Sequence, residues 1–135
     1  MNQDQMNKIN LNILKNNNIL ILNEDELTKS FGIQYIDLFA LADVISGKTG
    51  YSIVSEIIVN NLNFLYTERG KFREQEILMK ALEENSNSKK INIEEIYKLN
   101  PILFEKANNL LKNQKKLNSV EDGAKKISKI LLDEI

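Results

Sequence analysis

The sequence contains no cysteine, no histidine and no tryptophan, and one proline and five glycines occur among its 135 residues. The absence of cysteine and histidine excludes disulfide bridges, thiol nucleophiles and Cys/His zinc sites. Basic and acidic side chains number 18 and 19, so the net charge of −1 does not indicate a nucleic-acid or membrane partner. No hydrophobic run approaches the roughly 18 residues of a membrane span, and the first residues lack the features of a secretory signal. The sequence therefore predicts a cytoplasmic protein.

The composition is typical of a globular protein, with 42% hydrophobic and 27% charged side chains. A chain of this length can bury a core without disulfides or metal. We expect a single, mainly α-helical domain over residues 1–135, built as a bundle of six to seven helices. Residues 23–85 supply its central hydrophobic helices, and residues 91–135 supply amphipathic C-terminal helices. Residues 1–22 are ambiguous, because a helix with an extended segment and a small N-terminal β-hairpin both agree with their pattern.

The most hydrophobic stretch of the chain runs from Phe31 to Leu65. Residues 33–45 are hydrophobic around most of a helical circumference, which predicts a central helix that is buried on most sides. Residues 51–66 repeat their hydrophobic positions at three- and four-residue steps, which predicts an amphipathic helix. The Ile57-Ile58-Val59 cluster favours a strand, but the length of the pattern favours a helix. Residues 50–85 are thus predicted to form one long helix or two helices with a kink.

Several helix starts are marked by an Asn or Ser that is followed three residues later by an acidic residue, which is the capping-box pattern. The Asn100-Pro101 pair marks another start, because proline is favoured at the first position of a helix. Residues 85–90 are polar and without periodicity, and they predict a loop. The capping-box starts predict helices over residues 24–30, from Asn92 to Leu99 and from Ser119 onward.

Residues 24–46 resemble a helix-turn-helix, with Gly32 in the turn between two hydrophobic segments. DNA affinity comes largely from basic side chains on phosphates, yet Lys29 is the single basic residue between positions 20 and 47. This stretch carries five acidic residues, which would repel a duplex. In the DNA-binding interpretation, Gln34 and Tyr35 would face the groove while C-terminal lysines contact phosphates: Lys112, Lys115 and Lys116.

The sequence contains no complete catalytic, nucleotide-binding or metal-binding motif. Gly47-Lys48-Thr49 resembles the end of a phosphate-binding loop, but Ala42 stands where that loop requires glycine, and a helix is predicted where the loop requires a strand. Acidic residues occur mostly as sequence neighbours, which diverge by about 100° on a helix and cannot converge on one substrate atom. We therefore predict no catalytic, cofactor or metal site, and no enzymatic activity.

By elimination, the sequence favours a non-enzymatic protein–protein interaction module, such as an adaptor, an inhibitor or an assembly factor. Aromatic side chains anchor many interfaces, so the candidate partner contacts are Tyr35, Phe39 and Tyr66. The expected partner is another protein, and a homodimer through the hydrophobic stretch is a further hypothesis. The alternative is a DNA-binding regulator that uses residues 24–46, although nucleic acid is the less favoured partner and a membrane is not expected.

Overall fold

The computed structural model describes residues 24–71, 73–99, 101–117 and 132. These residues form six helices and three short strands in an alternating order. The helices are α1 (Glu24–Phe31), α2 (Tyr35–Leu41), α3 (Tyr51–Val59), α4 (Gln75–Asn85), α5 (Ile93–Tyr97) and α6 (Pro101–Lys112). The strands are β1 (Ile45–Lys48), β2 (Asn63–Thr67) and β3 (Asn87–Lys90).

The three strands form one parallel sheet in the order β1-β2-β3. Helix α3 connects β1 to β2, and helix α4 connects β2 to β3, because parallel neighbours require a crossover connection. The predicted mainly α-helical bundle of six to seven helices is therefore wrong. The described part of the chain is an α/β fold whose sheet separates two layers of helices.

Strand β2 lies at the centre of the fold and is buried on both faces. On one face, Phe64 and Tyr66 pack against residues of α3 and α4, which include Ile57 and Leu82. On the other face, Leu65 packs with Leu103, Leu110 and Ile91, so α6 covers this side of the sheet. The two faces receive alternate side chains because successive residues of a strand point to opposite sides. The central strand of the parallel sheet is thus covered on both faces, as is usual for this class.

Helix α3 ends at Val59, and the chain does not continue as the helix predicted over residues 51–66. Asn61 has a φ of 52°, a left-handed conformation that asparagine tolerates better than most residues. The N–H of Asn61 donates to the carbonyl of Ile58, and the N–H of Leu62 donates to the carbonyl of Ile57. This pair of bonds is a Schellman motif, which turns the backbone out of the helix and into β2.

The predicted central helix over residues 33–45 is also wrong. Helix α2 has seven residues, Tyr35–Leu41, and most of its side chains are exposed. Its C-cap residue, Ala42, has an extended conformation, with φ −88° and ψ 131°. From there the chain enters β1, which begins at Ile45, so the end of the predicted helix belongs to the sheet. Asp37 is exposed and caps α2, because its Oδ2 accepts the N–H of Gln34 at 2.8 Å.

The predicted loop over residues 85–90 is wrong as well, since four of these residues form β3. By contrast, the short helix predicted over residues 24–30 is confirmed by α1. The helix predicted after Asn92 starts where expected, although the side chain of Asn92 makes no capping hydrogen bond and the helix ends at Tyr97. Helix α6 begins at Pro101 as predicted.

The predictions for residues 1–22, and the helix predicted from Ser119 onward apart from Leu132, lie outside the described residues. Within the described ranges, no helix is both long enough and apolar enough to cross a membrane.

Candidate functional site

A cavity of about 990 Å³ opens beside the first strand of the sheet, between β1, α2 and the start of α3. In a parallel α/β sheet, the loops that follow the carboxyl ends of the strands are the usual location of binding sites. The cavity extends from the outer side of β1 to this edge. Its principal lining residues are Tyr35, Ile36, Ser46, Lys48, Tyr51 and Arg69.

The open side of β1 contributes backbone hydrogen-bonding groups to the cavity. Strand β1 is an edge strand and pairs only with β2 among the described residues. The N–H of Thr49 donates to the carbonyl of Thr67 at 3.0 Å, so the backbone groups of Thr49 point toward β2. Because backbone groups of successive strand residues alternate in direction, those of Ser46 and Lys48 point away from β2. Both residues line the cavity, and no described residue forms a backbone hydrogen bond with these outward groups.

Helix α2 forms the opposite wall of the cavity and presents aromatic surface. Tyr35 is 51% exposed, and its ring meets the ring of Phe39 edge-on with 4.9 Å between centroids. Phe39 is only 6% exposed, so its ring is shielded from solvent behind Tyr35. Across the cavity, Tyr51 at the start of α3 is 61% exposed. The two tyrosines leave large, partly hydrophobic surfaces available to a bound molecule.

The two ends of the cavity differ in charge. Lys48 and Arg69 line it at the carboxyl edge, where β1 and β2 end. Arg69 reaches across to the neighbouring connection, since its Nη1 lies 3.5 Å from the place where a β-carbon on Gly50 would stand. Glu56 also lines the cavity, five residues after Tyr51 in α3. At a rise of about 1.5 Å per residue, the two residues are about 7.5 Å apart along the helix axis. The Oε2 atom of Glu56 accepts a hydrogen bond from Nδ2 of Asn60 at 2.9 Å.

A buried polar cluster joins the connections that follow β1 and β2. The hydroxyl of Thr49 lies 2.9 Å from Oε1 and 2.8 Å from Nε2 of Gln75. The Oε1 atom of Gln75 also accepts the backbone N–H of Arg69 at 3.3 Å. Thr49, Thr67 and Gln75 are all buried, so these bonds are shielded from water. The cluster therefore fixes the backbone of Arg69 relative to the end of β1.

Comparison with known proteins does not identify a function for this cavity. No family model matches the chain, and no curated protein or solved structure shows significant similarity to it. In the described ranges, no group of three or more acidic residues is close enough together to hold a metal ion. The chemistry of the site must therefore be argued from its own side chains and backbone groups.

Of the three partner contacts predicted from the sequence, Tyr35 alone lies on the surface. Phe39 is buried behind it, and Tyr66 is 1% exposed in the core. The hydroxyl of Tyr66 donates to Oε1 of Glu83 at 3.2 Å. Burial, together with the nearby negative charge of Glu83, raises the pKa of Tyr66 to about 12. Tyr66 thus remains a neutral core residue at ordinary pH.

The residues of the DNA-binding alternative do not lie together. Gln34 and Tyr35 line the cavity. Lys112 ends α6, and the chain that follows it runs past the amino ends of β2 and β3, where Gln114 Nε2 lies 3.4 Å from Asn63 Oδ1. The remaining two lysines, Lys115 and Lys116, belong to this segment and are exposed. The first group therefore lies in the cavity beside β1, whereas the lysines belong to a segment near the amino ends of β2 and β3.

The sequence pattern of Gly47-Lys48-Thr49 resembles the end of a phosphate-binding loop, but the structure gives these residues a different geometry. A phosphate-binding loop needs its Lys and Thr free to face phosphates at the start of a helix. Here Lys48 is the last residue of β1, and the hydroxyl of Thr49 is used by Gln75. The contributions of Ser46 and Arg69 were missed, because both depend on the pairing of β1 with β2. A preference of residues 45–48 for extended structure would have been the signal, and the polar composition of these residues concealed it.

Proposed function

We propose that this protein is an interaction module that binds an extended segment of another protein along the open edge of β1. The observation that carries the proposal is the pair of outward-facing backbone positions, Ser46 and Lys48, which line a cavity with an aromatic wall. An exposed strand edge pairs readily with another chain, and addition of a strand to such an edge is a common mode of peptide recognition. The cavity gives the added strand a place between β1 and α2.

The dimensions of the edge set the length of the bound segment. Strand β1 has four residues, and at about 3.3 Å per residue it spans roughly 13 Å, which corresponds to about four residues of partner. Two outward positions offer up to four backbone hydrogen bonds, each worth about 0.5–1.5 kcal/mol in net terms. Association itself costs at least about 4 kcal/mol, so these bonds alone give little affinity.

Side-chain contacts must supply the remaining affinity and the specificity. Tyr35, Ile36 and Tyr51 line the cavity with at least two-fifths of their surface exposed in the free protein. Alternate side chains of an added strand would contact these residues, and buried aromatic residues are frequent anchors of interfaces. We expect binding in the micromolar range, which suits a reversible adaptor, inhibitor or assembly factor.

The proposal can be tested by selecting displayed random heptapeptides against the purified protein and measuring the affinity of the enriched peptides. Ser46→Pro removes one outward N–H and leaves the bonds to β2 intact, so it should weaken binding by ~3- to 10-fold or more. Lys90→Pro is the control for loss of an outward N–H, because it makes this change on the outer side of β3, away from the cavity, although it also removes the ion pair of Lys90 with Glu68. The N–H of Ile91 donates to the carbonyl of Tyr66 in β2. Because successive residues of a strand alternate in direction, the N–H of Lys90 points away from β2.

Three results would overturn the proposal. The first is a selection that yields no specific peptide, and the second is an equal effect of Ser46→Pro and Lys90→Pro. The third concerns the homodimer hypothesis: light scattering that detects a dimer, together with its loss in Ser46→Pro, would assign the edge of β1 to a second copy of this chain. A monomer with peptide binding sensitive to Ser46→Pro supports recognition of a different protein.

A further inference from the structure

The carboxyl end of the cavity carries positive charge that no salt bridge among the described residues neutralises. Neither Lys48 nor Arg69 takes part in any of the salt bridges formed among the described residues. Nearby cations do find partners, since Lys90 at the end of β3 pairs with Glu68. The acidic residue of the cavity, Glu56, lies further along α3 and is bound by Asn60. The cavity therefore has a basic end, whose two cations have no salt-bridge partner in the described ranges, and an acidic end.

The position of Arg69 suits recognition of a carboxylate. Its backbone N–H is held by the buried amide of Gln75, and its Nη1 lies beside Gly50 at the start of α3. A guanidinium presents two parallel N–H donors, which match the two oxygens of a carboxylate. The N-cap of α3 is glycine, so it offers no side-chain acceptor that would compete for Arg69 or for the first N–H groups of the helix.

We propose that the bound segment carries a carboxylate at the end that lies next to Lys48 and Arg69. This inference rests on the proposed strand addition and adds the chemistry of the partner. Strand β1 runs toward the basic end, so a segment added parallel to β1, like the other strands, brings its own C-terminus to Arg69. An antiparallel segment would instead bring an Asp or Glu side chain there. Carboxylate is the chemistry that both sources share.

The experiment compares Arg69→Gln with Arg73→Gln. Both substitutions remove one exposed arginine, but Arg73 lies in the turn before α4 and does not line the cavity. Peptides selected against the unmodified protein should contain a carboxylate at one fixed position. Arg69→Gln should weaken their binding about tenfold, because a charge-assisted pair is lost, whereas Arg73→Gln should change it less than about twofold. Amidated and free C-terminal versions of the same peptides identify the source of the carboxylate.

A second variant separates loss of recognition from loss of folding. Gly50→Asp introduces a carboxylate at an extended N-cap position, where φ is −170° and the new β-carbon makes an ordinary contact with Arg69 Nη1. Aspartate is a favoured N-cap residue, so the midpoint of thermal unfolding should not fall. The internal carboxylate should compete with the peptide and weaken binding about tenfold. A variant that binds poorly while remaining stable cannot be explained by misfolding.

The outcomes distinguish this inference from the proposed function. Enrichment of peptides without a fixed carboxylate would overturn the inference and leave strand addition intact, whereas no enrichment would overturn both. Equal effects of Arg69→Gln and Arg73→Gln would also overturn the inference. Inorganic phosphate is the competing probe, and saturable binding of phosphate that is lost in Arg69→Gln, without any peptide binding, would assign the basic end to a small anion instead.

Discussion

The buried amide of Gln75 provides the most direct test of the parallel arrangement. Gln75 is the first residue of α4, and it bonds to the hydroxyl of Thr49 after β1 and to the N–H of Arg69 after β2. These two partners are brought together because β1 and β2 are parallel neighbours that end at one edge. In Gln75→Leu, the Thr49 hydroxyl keeps a single long contact, 3.4 Å from the carbonyl of Thr67.

The expected loss in the free energy of unfolding follows from the number of polar groups that lose their hydrogen-bond partner. A buried polar group that loses its hydrogen bond costs about 1–3 kcal/mol, and Gln75→Leu affects the Thr49 hydroxyl and the Arg69 N–H. Arg69 is partly accessible to water, so we expect a total loss of ~2–3 kcal/mol in the free energy of unfolding. Thr49→Val removes the other half of the Thr49–Gln75 contact and should cost about 1–2 kcal/mol. The double variant should be less destabilised than the sum, by ~1 kcal/mol or more.

Urea unfolding followed by circular dichroism measures these free energies, provided that the dependence on urea concentration is the same for all four proteins. The double-mutant cycle isolates the interaction between the two side chains. Additive effects, with a coupling energy within about 0.3–0.5 kcal/mol of zero, would refute the argument that these groups interact. The single variants should also weaken peptide binding, because the cluster of Thr49 and Gln75 fixes the backbone of Arg69.

Two further predictions concern the core. Ile57→Ala should lower the free energy of unfolding by ~2–5 kcal/mol, because Ile57 is fully buried between α3 and the sheet, whereas Ile77→Ala on the exposed side of α4 should stay within about 0.5 kcal/mol of the unmodified protein. Comparable losses of stability in the two variants would contradict the burial of Ile57 and the exposure of Ile77. Because folding raises the pKa of Tyr66 from 10.0 to about 12, the stabilising effect of its protonation is complete below pH 10 and is lost as the pH rises toward 12. Tyr66→Phe should therefore lose less stability than the unmodified protein over this pH range in urea titrations, and identical pH profiles would contradict the raised pKa.

The helices were the part of the fold that local sequence patterns predicted best. The start of α6 at Pro101 and the start of α5 after Asn92 follow from residue preferences that act within one turn of helix. Such signals need no information about distant residues. The same local reasoning failed at Asn61, whose left-handed conformation ends α3, because the hydrophobic repeat of residues 51–66 continues past this residue.

The strands were missed because their identity depends on pairing. Strands β1 and β3, Ile-Ser-Gly-Lys and Asn-Ser-Lys-Lys, contain little of the β-branched and aromatic composition that marks strands. Both are extended because each pairs with β2, the aromatic strand between them. Strand β2 is buried on both faces, so it lacks the alternation that distinguishes a half-buried strand from part of a helix.

The sequence by itself therefore determined the starts of α1, α5 and α6, the absence of disulfide chemistry and the presence of a substantial hydrophobic core. Tertiary structure alone decided that the middle of the chain forms a parallel sheet, that Phe39 and Tyr66 are buried, and that Lys48 and Arg69 share one cavity. The physical reason is the range of the interactions. Helix capping acts over three or four residues, whereas parallel strands obtain every ladder hydrogen bond from residues that are distant in the chain.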